Sequence, residues 1–282
     1  MIRADHGRPT SPTLHAPWDH LITGWTAWMR AAHRPVGTID LRRYHLGRIR
    51  RWFEPLHAAE LTTQDLAEFI AAHAWQKETA RSYRASLRSF YGWAHAVGLV
   101  VDDPARALPS ITPSRGRPRP TPTSVFQTAL AAAGPRERLM LLLAAHAGLR
   151  RAEIAHVHTR DVEEDLLGFA LRVHGKGDVV RRVPLTDDLA RALRAAPPGW
   201  VFPSPGGGHL TPAHVGKLVS TLLPEGWTTH TLRHRFASRA YAGSRDLRAV
   251  QELLGHSKPE TTARYTEVPA DDLRKVVLLA VA

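Results

Sequence analysis

The 282-residue chain has no cysteine. Disulfides, thiolate metal sites and cysteine nucleophiles are therefore excluded, and a cytosolic or nucleoid location is the simplest expectation. No apolar run approaches the roughly 20 residues a membrane span needs, and no signal-peptide pattern opens the chain. Acidic side chains are outnumbered, 26 against 38 basic ones, for a formal net charge of +12. Such a balance leaves the fold open but favours a polyanionic partner, with nucleic acid first and an anionic membrane surface second. Lysine is also scarce: Lys77, Lys176, Lys217, Lys258 and Lys275 stand among 38 basic residues, the rest arginine. In so arginine-rich a chain, a lysine at a particular place carries more information than it ordinarily would.

What is present is mostly helical. His6, Pro9, Pro12, His15 and Pro17 read as a loose arm over 1–17. Helices are expected over 18–32, from Gly37-Thr38 to Phe53, over 66–73 with its cap in Thr62-Thr63-Gln64-Asp65, and over 77–97. In the last of these, Tyr83, Leu87, Phe90 and Ala94 make an apolar stripe at helical spacing. Arg81, Arg84 and Arg88 share another face, and with Lys77 they suit either solvent or a phosphate backbone. Between residues 108 and 122, Pro109, Pro113, Pro118, Pro120 and Pro122 alternate with Arg115, Arg117 and Arg119. Proline removes donors and favours extended chain, so this segment reads as a linker whose arginines either track DNA or keep it soluble.

The second half, 123–282, alternates differently. Helices are expected over 124–133, 136–147, 187–196, 212–223, 230–242, 246–254 and 259–266. Residues 169–173 and 179–183 have strand character, joined by Gly175-Lys176-Gly177-Asp178 as a tight turn that puts Lys176 at a hairpin tip. Ser257-Lys258-Pro259-Glu260 is a capping box with proline in the first turn. The fold class is thus mainly α with a small β-sheet.

The ordered polar residues of this half suit phosphodiester cleavage by a protein nucleophile. Such chemistry needs an in-line nucleophile, fixed cations for the charge on the non-bridging oxygens and a proton for the leaving oxygen. Arg150, in Gly148-Leu149-Arg150-Arg151-Ala152-Glu153, and Arg233 are candidates for the charge, because a guanidinium donates two parallel bonds and keeps its proton. Glu153 is close enough in sequence to hold a guanidinium. His230 and Arg233 share a helix face, and His256 follows Gly255 just past a helix end. Either histidine can move a proton or donate to a phosphoryl oxygen. Lys176 can release a proton where arginine cannot, which suits a general acid. Tyr265, in Thr261-Thr262-Ala263-Arg264-Tyr265, supplies a phenol. Taken singly, each of these is ordinarily a surface, turn or packing residue. His230 and His234 have the spacing of a metal pair, but Thr231 stands where a zinc protease carries glutamate, so no metal and no cofactor are expected.

With those blocks in place, the chain resembles the tyrosine recombinases of the phage-integrase family. His230-Thr231-Leu232-Arg233-His234-Arg235-Phe236-Ala237 is similar to that family's second arginine block. Leu253-Leu254-Gly255-His256 is similar to its glycine–histidine block, and 261–265 to its nucleophile block. Gly148–Glu153 is similar to its first arginine block, and Lys176 has the hairpin position of its lysine. The resemblance implies a helical, SAM-like core-binding domain over 18–107 and a DNA breaking-rejoining catalytic domain over 123–282. It implies that Tyr265 attacks the scissile phosphate to give a 3′-phosphotyrosine, with Arg150 and Arg233 on the non-bridging oxygens. Lys176 would protonate the leaving oxygen, His230 would assist proton transfer from the tyrosine and His256 would support the phosphate. The reaction would need neither metal nor ATP.

The family further implies double-stranded core-type DNA sites and a tetramer working through a Holliday junction. The segment 271–279 would be the helix exchanged between protomers, although packing within its own chain or recognition of the apolar end by a protease fits it too. An accessory DNA-bending or directionality protein is a further partner. The short stretch before the first expected helix suggests no arm-binding module, as in a simple integrase or a Xer-like resolvase. A resolvase of chromosome or plasmid dimers, a non-cutting DNA-binding relative and a type IB topoisomerase are the competing readings. Target sequence and directionality are not legible.

Overall fold

The computed structural model describes residues 16–113, 119–175 and 180–255. Expectations for residues 1–15, Arg115, Arg117, Lys176, His256, Tyr265 and the 259–266 and 271–279 segments lie outside these. The chain forms two compact units, Met1–Arg115 and Gly116–Ala282.

In the first unit, α1 (Trp18–Ala31), α2 (Val36–Phe53), α3 (Thr63–Ala71) and α4 (Lys77–Ala96) follow the expected order. Helix α3 begins a turn earlier than expected. Thr62 Oγ1 accepts the Asp65 N–H while Asp65 accepts the Thr62 N–H, so two otherwise orphaned donors are satisfied at this point. Tyr83, Leu87, Phe90 and Ala94 are all buried, as their spacing predicts. Phe90 meets Trp25 edge-on at 5.5 Å, and Trp75 stacks on Tyr83 at 4.0 Å. These rings lie in, or packed against, the buried core of the unit together with aliphatic residues such as Leu21, Leu46, Ile49 and Leu66. The arginine face of α4 divides. Arg81 pairs with Glu78 at 2.8 Å, Arg84 donates to the Leu108 carbonyl at 2.8 Å, and Arg88 and Lys77 are exposed.

The second unit holds α5 (Thr123–Ala132), α6 (Pro135–His146), α7 (Arg151–Ala155), then β1 (Val162–Asp165), β2 (Gly168–His174) and β3 (Val180–Leu185). It continues with α8 (Asp187–Arg194), α9 (Pro212–Thr221), α10 (Thr229–Ser244) and α11 (Leu247–Leu254). The sheet is antiparallel in the order β1-β2-β3, and β2 and β3 pair from Phe169↔Leu185 to His174↔Val180. Strand β1 was not expected, because Val162-Glu163-Glu164-Asp165 lacks a strand-like composition. Its carboxylates are matched by cations on the other strands: Glu163 lies 3.1 Å from Arg172, and Asp165 lies 3.4 Å from Arg182. The mainly α class with a small sheet is thus the observed one.

The proline-rich stretch is less free at its described ends than a linker composition suggests. Leu108 is buried in the first unit and Thr121 in the second. Thr121 donates its N–H to the Thr231 carbonyl at 3.2 Å, and its hydroxyl meets that of Thr231 at 2.9 Å. Residues 119–122 therefore run along α10. Among the described residues, no helix is long and apolar enough to cross a membrane.

Candidate active site

The site grows from the start of α10. Thr228 caps the helix, with its hydroxyl accepting the His230 N–H at 3.2 Å and its own N–H donating to Thr231 Oγ1 at 2.9 Å. This cap fixes the first turn, and His230, Arg233 and His234 then project from one face at i, i+3 and i+4. Arg233 is only 1% exposed. A buried guanidinium must have its donors satisfied. Nη1 donates to the Gly148 carbonyl and Nη2 to the Leu254 carbonyl at 2.6 Å, while Glu153 lies 3.6 Å away.

Gly148 shows why this corner is glycine. Its φ is +64°, and a Cβ there would lie 2.5 Å from Phe236 Cδ1. Gly148→Ala should cost about 3 kcal/mol, from left-handed backbone strain plus overlap. Denaturant unfolding at neutral pH measures it, and a cost below about 1 kcal/mol would show that Phe236 yields without penalty.

Arg150 is the residue before α7. Its N–H donates to Glu153 Oε2 at 2.8 Å and its Nη1 to Oε1 at 2.7 Å. A second arginine, which the sequence reading did not single out, completes the anchor. Arg181 on β3 donates through Nη1 and Nη2 to the two oxygens of Glu153 at 2.9 and 2.8 Å, and through Nε to the Leu253 carbonyl at 2.8 Å. Glu153 is thus a buried carboxylate shared by three guanidiniums. Burial raises its pKa, but hydrogen bonding and charge from Arg181, then from Arg150, win and bring it down to about 2. The signal for Arg181 was its place on the inward side of a strand, in register with Val183 and Leu185.

Three cations on one anion leave a surplus of positive charge. Arg150, Arg151, Lys217, His230 and Arg233 face a common cleft of about 640 Å³. Lys217, one of the few lysines, was also not singled out from sequence as a site residue. The His230 pKa is lowered, first by partial burial and then by the charges of Arg233 and Arg150, which favours the neutral ring at pH 7. The cleft can therefore bind a tetrahedral anion and stabilise added negative charge on it.

Of the expected site residues, the structure brings together Arg150, Glu153, His230 and Arg233. Lys176, His256 and Tyr265 lie outside the described residues. The neighbour of His256 does reach the site: Gly255 ends α11 with φ +61°, and its carbonyl is 3.5 Å from Arg150 Nη2. Arg119, expected on a free linker, lies with its guanidinium 4.3 Å over Trp227. Among the described residues no group of three His, Asp or Glu side chains is arranged to hold a metal.

The sequence profile described as the phage integrase family matches residues 123–271. Tyrosine recombinase XerC of Rhodospirillum centenum is 33% identical, over 96% of this chain and 82% of that protein. Tyrosine recombinase XerD of Rhizobium meliloti is 33% identical, over 77% of this chain and 80% of its own. Among solved structures, XerH bound to a palindromic difH substrate in a post-cleavage complex has a TM-score of 0.70 at 20% identity, covering 94% of this chain and 85% of the other. A lambda integrase dimer bound to a COC′ core site has a TM-score of 0.71 at 18% identity, covering 93% and 79%.

Proposed function

We infer the reaction from family membership: this chain belongs to the phage integrase family, the tyrosine recombinases, and is a site-specific DNA recombinase. We propose that the Tyr265 oxygen attacks phosphorus in line as the bond to the 5′ oxygen breaks. The cut strand then remains joined to the protein as a 3′-phosphotyrosine. The phenol releases its proton to water, Lys176 gives one to the departing 5′ oxygen, and a free 5′ hydroxyl results. The phosphoester bond energy is kept in the covalent link, so rejoining needs no ATP.

The observation that carries this reading is the meeting of Arg150, Arg233 and His230 on one cleft, around a buried Glu153, inside the region that matches the family. Fixed guanidiniums stabilise the charge that gathers on the non-bridging oxygens, and they need no reorganisation at the moment of reaction. His256 supports the same phosphate, and His230 lies at the edge of the reacting group.

The substrate is double-stranded DNA with short core-type sites. The first unit grips it, with the exposed Lys77 and Arg88 better placed for phosphates than Arg81 and Arg84, which already have partners within the chain. Arg115, Arg117 and Arg119 add positive charge along the segment of chain that joins the units. Protomers associate on DNA as a tetramer through 271–279, exchange strands through a Holliday junction, and act in the cytoplasm. For the biological role, 33% identity to a XerC over 96% of the chain favours resolution of chromosome or plasmid dimers alongside integration of a mobile element.

A nicked suicide duplex tests the chemistry. In EDTA, wild type should trap a covalent adduct. Lys176→Ala should lose adduct on an ordinary phosphate by about 100-fold or more, as for removal of a general acid. It should recover on a 5′-bridging phosphorothiolate, whose thiolate leaves without a proton. A strict requirement for a divalent ion, or no recovery on the phosphorothiolate, would contradict the mechanism.

A further inference from the structure

His230 and His234 are joined ring to ring, with Nε2 to Nε2 at 3.0 Å. One of the two nitrogens must carry the hydrogen, and the pair alone does not say which. A third group decides it. The backbone N–H of Arg119 points at His234 Nδ1 at 3.1 Å. An amide can only donate, so His234 Nδ1 is a bare acceptor and its hydrogen sits on Nε2. That hydrogen is given to His230 Nε2, which is therefore also bare. The hydrogen of neutral His230 lies on Nδ1.

The Arg119 amide is held in place from several sides. Its own guanidinium lies 4.3 Å over the Trp227 ring, two residues on Thr121 is tied to Thr231 through backbone and hydroxyl, and Arg235 donates to the Thr121 carbonyl at 3.1 Å. Arg235 is itself buried, with its guanidinium 5.1 Å over Phe126. The segment 119–122 is thus pinned along α10 and cannot turn the Arg119 N–H elsewhere without breaking these contacts.

We propose that His234 is a positioning residue that, through the Arg119 amide, holds His230 in its Nδ1–H form and so makes it a hydrogen-bond donor to the scissile phosphate. This rests on the recombinase reading and sharpens it. With Nε2 occupied by His234, Nδ1–H is the polar atom His230 has left for substrate, and the neutral ring cannot accept the Tyr265 proton there; this replaces the proton transfer that the family resemblance implied for His230. Accepting it would require the hydrogen on Nε2, facing the Nε2–H of His234. The surroundings of the ring act in the same direction: burial first, then the charges of Arg233 one turn along α10 and of Arg150 just before α7, disfavour a charged imidazolium.

The test is spectroscopic and needs no DNA, so it stands apart from whether the chain cuts. Long-range ¹H–¹⁵N correlation spectra of ¹⁵N-histidine protein report each ring's tautomer, with His230 and His234 assigned from H230Q and H234Q. Wild-type His230 should appear as the Nδ1–H form and His234 as the Nε2–H form. H234Q should keep His230 in that form, because a glutamine amide can accept from Arg119 and donate to His230. H234A should release it to a mixture or to the Nε2–H form. In the suicide-substrate assay H234A should form adduct about 10- to 100-fold more slowly, the range for losing a partner that orients a working imidazole, while H234Q stays within a few-fold of wild type. An Nε2–H form of His230 in the folded wild type overturns the proposal. So does an unchanged His230 spectrum in folded H234A. Should H234A fail to fold, a folded H234Q that has lost the Nδ1–H form overturns it as well.

Discussion

Tyr265→Phe is expected to abolish the covalent adduct on a nicked suicide duplex, by on the order of 10⁴-fold or more, the scale seen when a nucleophile is removed. Removing one oxygen leaves shape and packing nearly unchanged, so DNA binding in a mobility-shift assay should persist. The other tyrosines make poor substitutes. The chain has five. Tyr83 and Tyr91 are buried in the first unit, where the Tyr91 hydroxyl donates to the Ala58 carbonyl at 3.0 Å. Tyr44 lies on α2 of the same unit, and Tyr241 packs with the small cluster of Ala237, Val250 and Leu254. Tyr241→Phe should therefore keep the adduct. An undiminished adduct with Tyr265→Phe sinks the assignment, and an adduct lost only with Tyr241→Phe moves the nucleophile to α10.

Glu153→Gln is expected to destabilise the second unit by about 3–5 kcal/mol, the usual cost of removing one partner from a buried ion pair. Three guanidiniums would lose their shared anion, and two of them, Arg181 and Arg233, have little access to water. For a unit of this size the midpoint of thermal unfolding should fall by roughly 10 °C. Adduct formation should fall with it, because Arg150 and Arg233 would no longer be held against the phosphate.

The pH dependence has a definite sign. The carboxyl is shifted from 4.5 down to about 2 on folding. Its contribution is therefore complete above about pH 4.5 and is lost as the pH falls toward 2. It amounts to about 3 kcal/mol at 1.36 kcal/mol per unit. Between pH 5 and pH 2 the wild type should lose that much more stability than Glu153→Gln does, as read by urea unfolding at each pH. Equal stability of the two proteins at pH 7 would remove Glu153 from the centre of the site.

Much of the fold was legible because local physics wrote it. The stripe of Tyr83, Leu87, Phe90 and Ala94 is buried because a helix brings every third or fourth side chain to one face. The turn composition around 175–178 implied a hairpin, and β2 and β3 are its strands. Strand β1 was illegible because its stability comes from arginines on the neighbouring strands, not from its own residues. The arginine face of α4 was seen, but not that Arg84 turns to the Leu108 carbonyl. Charge at helical spacing says which side chains are neighbours and nothing about which find partners inside the fold.

The residue blocks around Arg150, Arg233, His256 and Tyr265 pointed to phosphodiester chemistry from sequence alone, because fixed cations, proton carriers and a nucleophile suit that reaction. Their order along the chain identified the family before any contact was known. Tertiary structure alone decided how the groups are held. Glu153, Arg181 and Arg233 lie on α7, β3 and α10, and they meet only because the sheet and helices fold that corner around one buried carboxylate. The tautomer of His230 likewise depends on an amide more than 100 positions away, at Arg119. Spacing along a chain reports neighbours on one element. A backbone donor arriving from another segment leaves no trace in it, because every non-proline residue carries the same N–H.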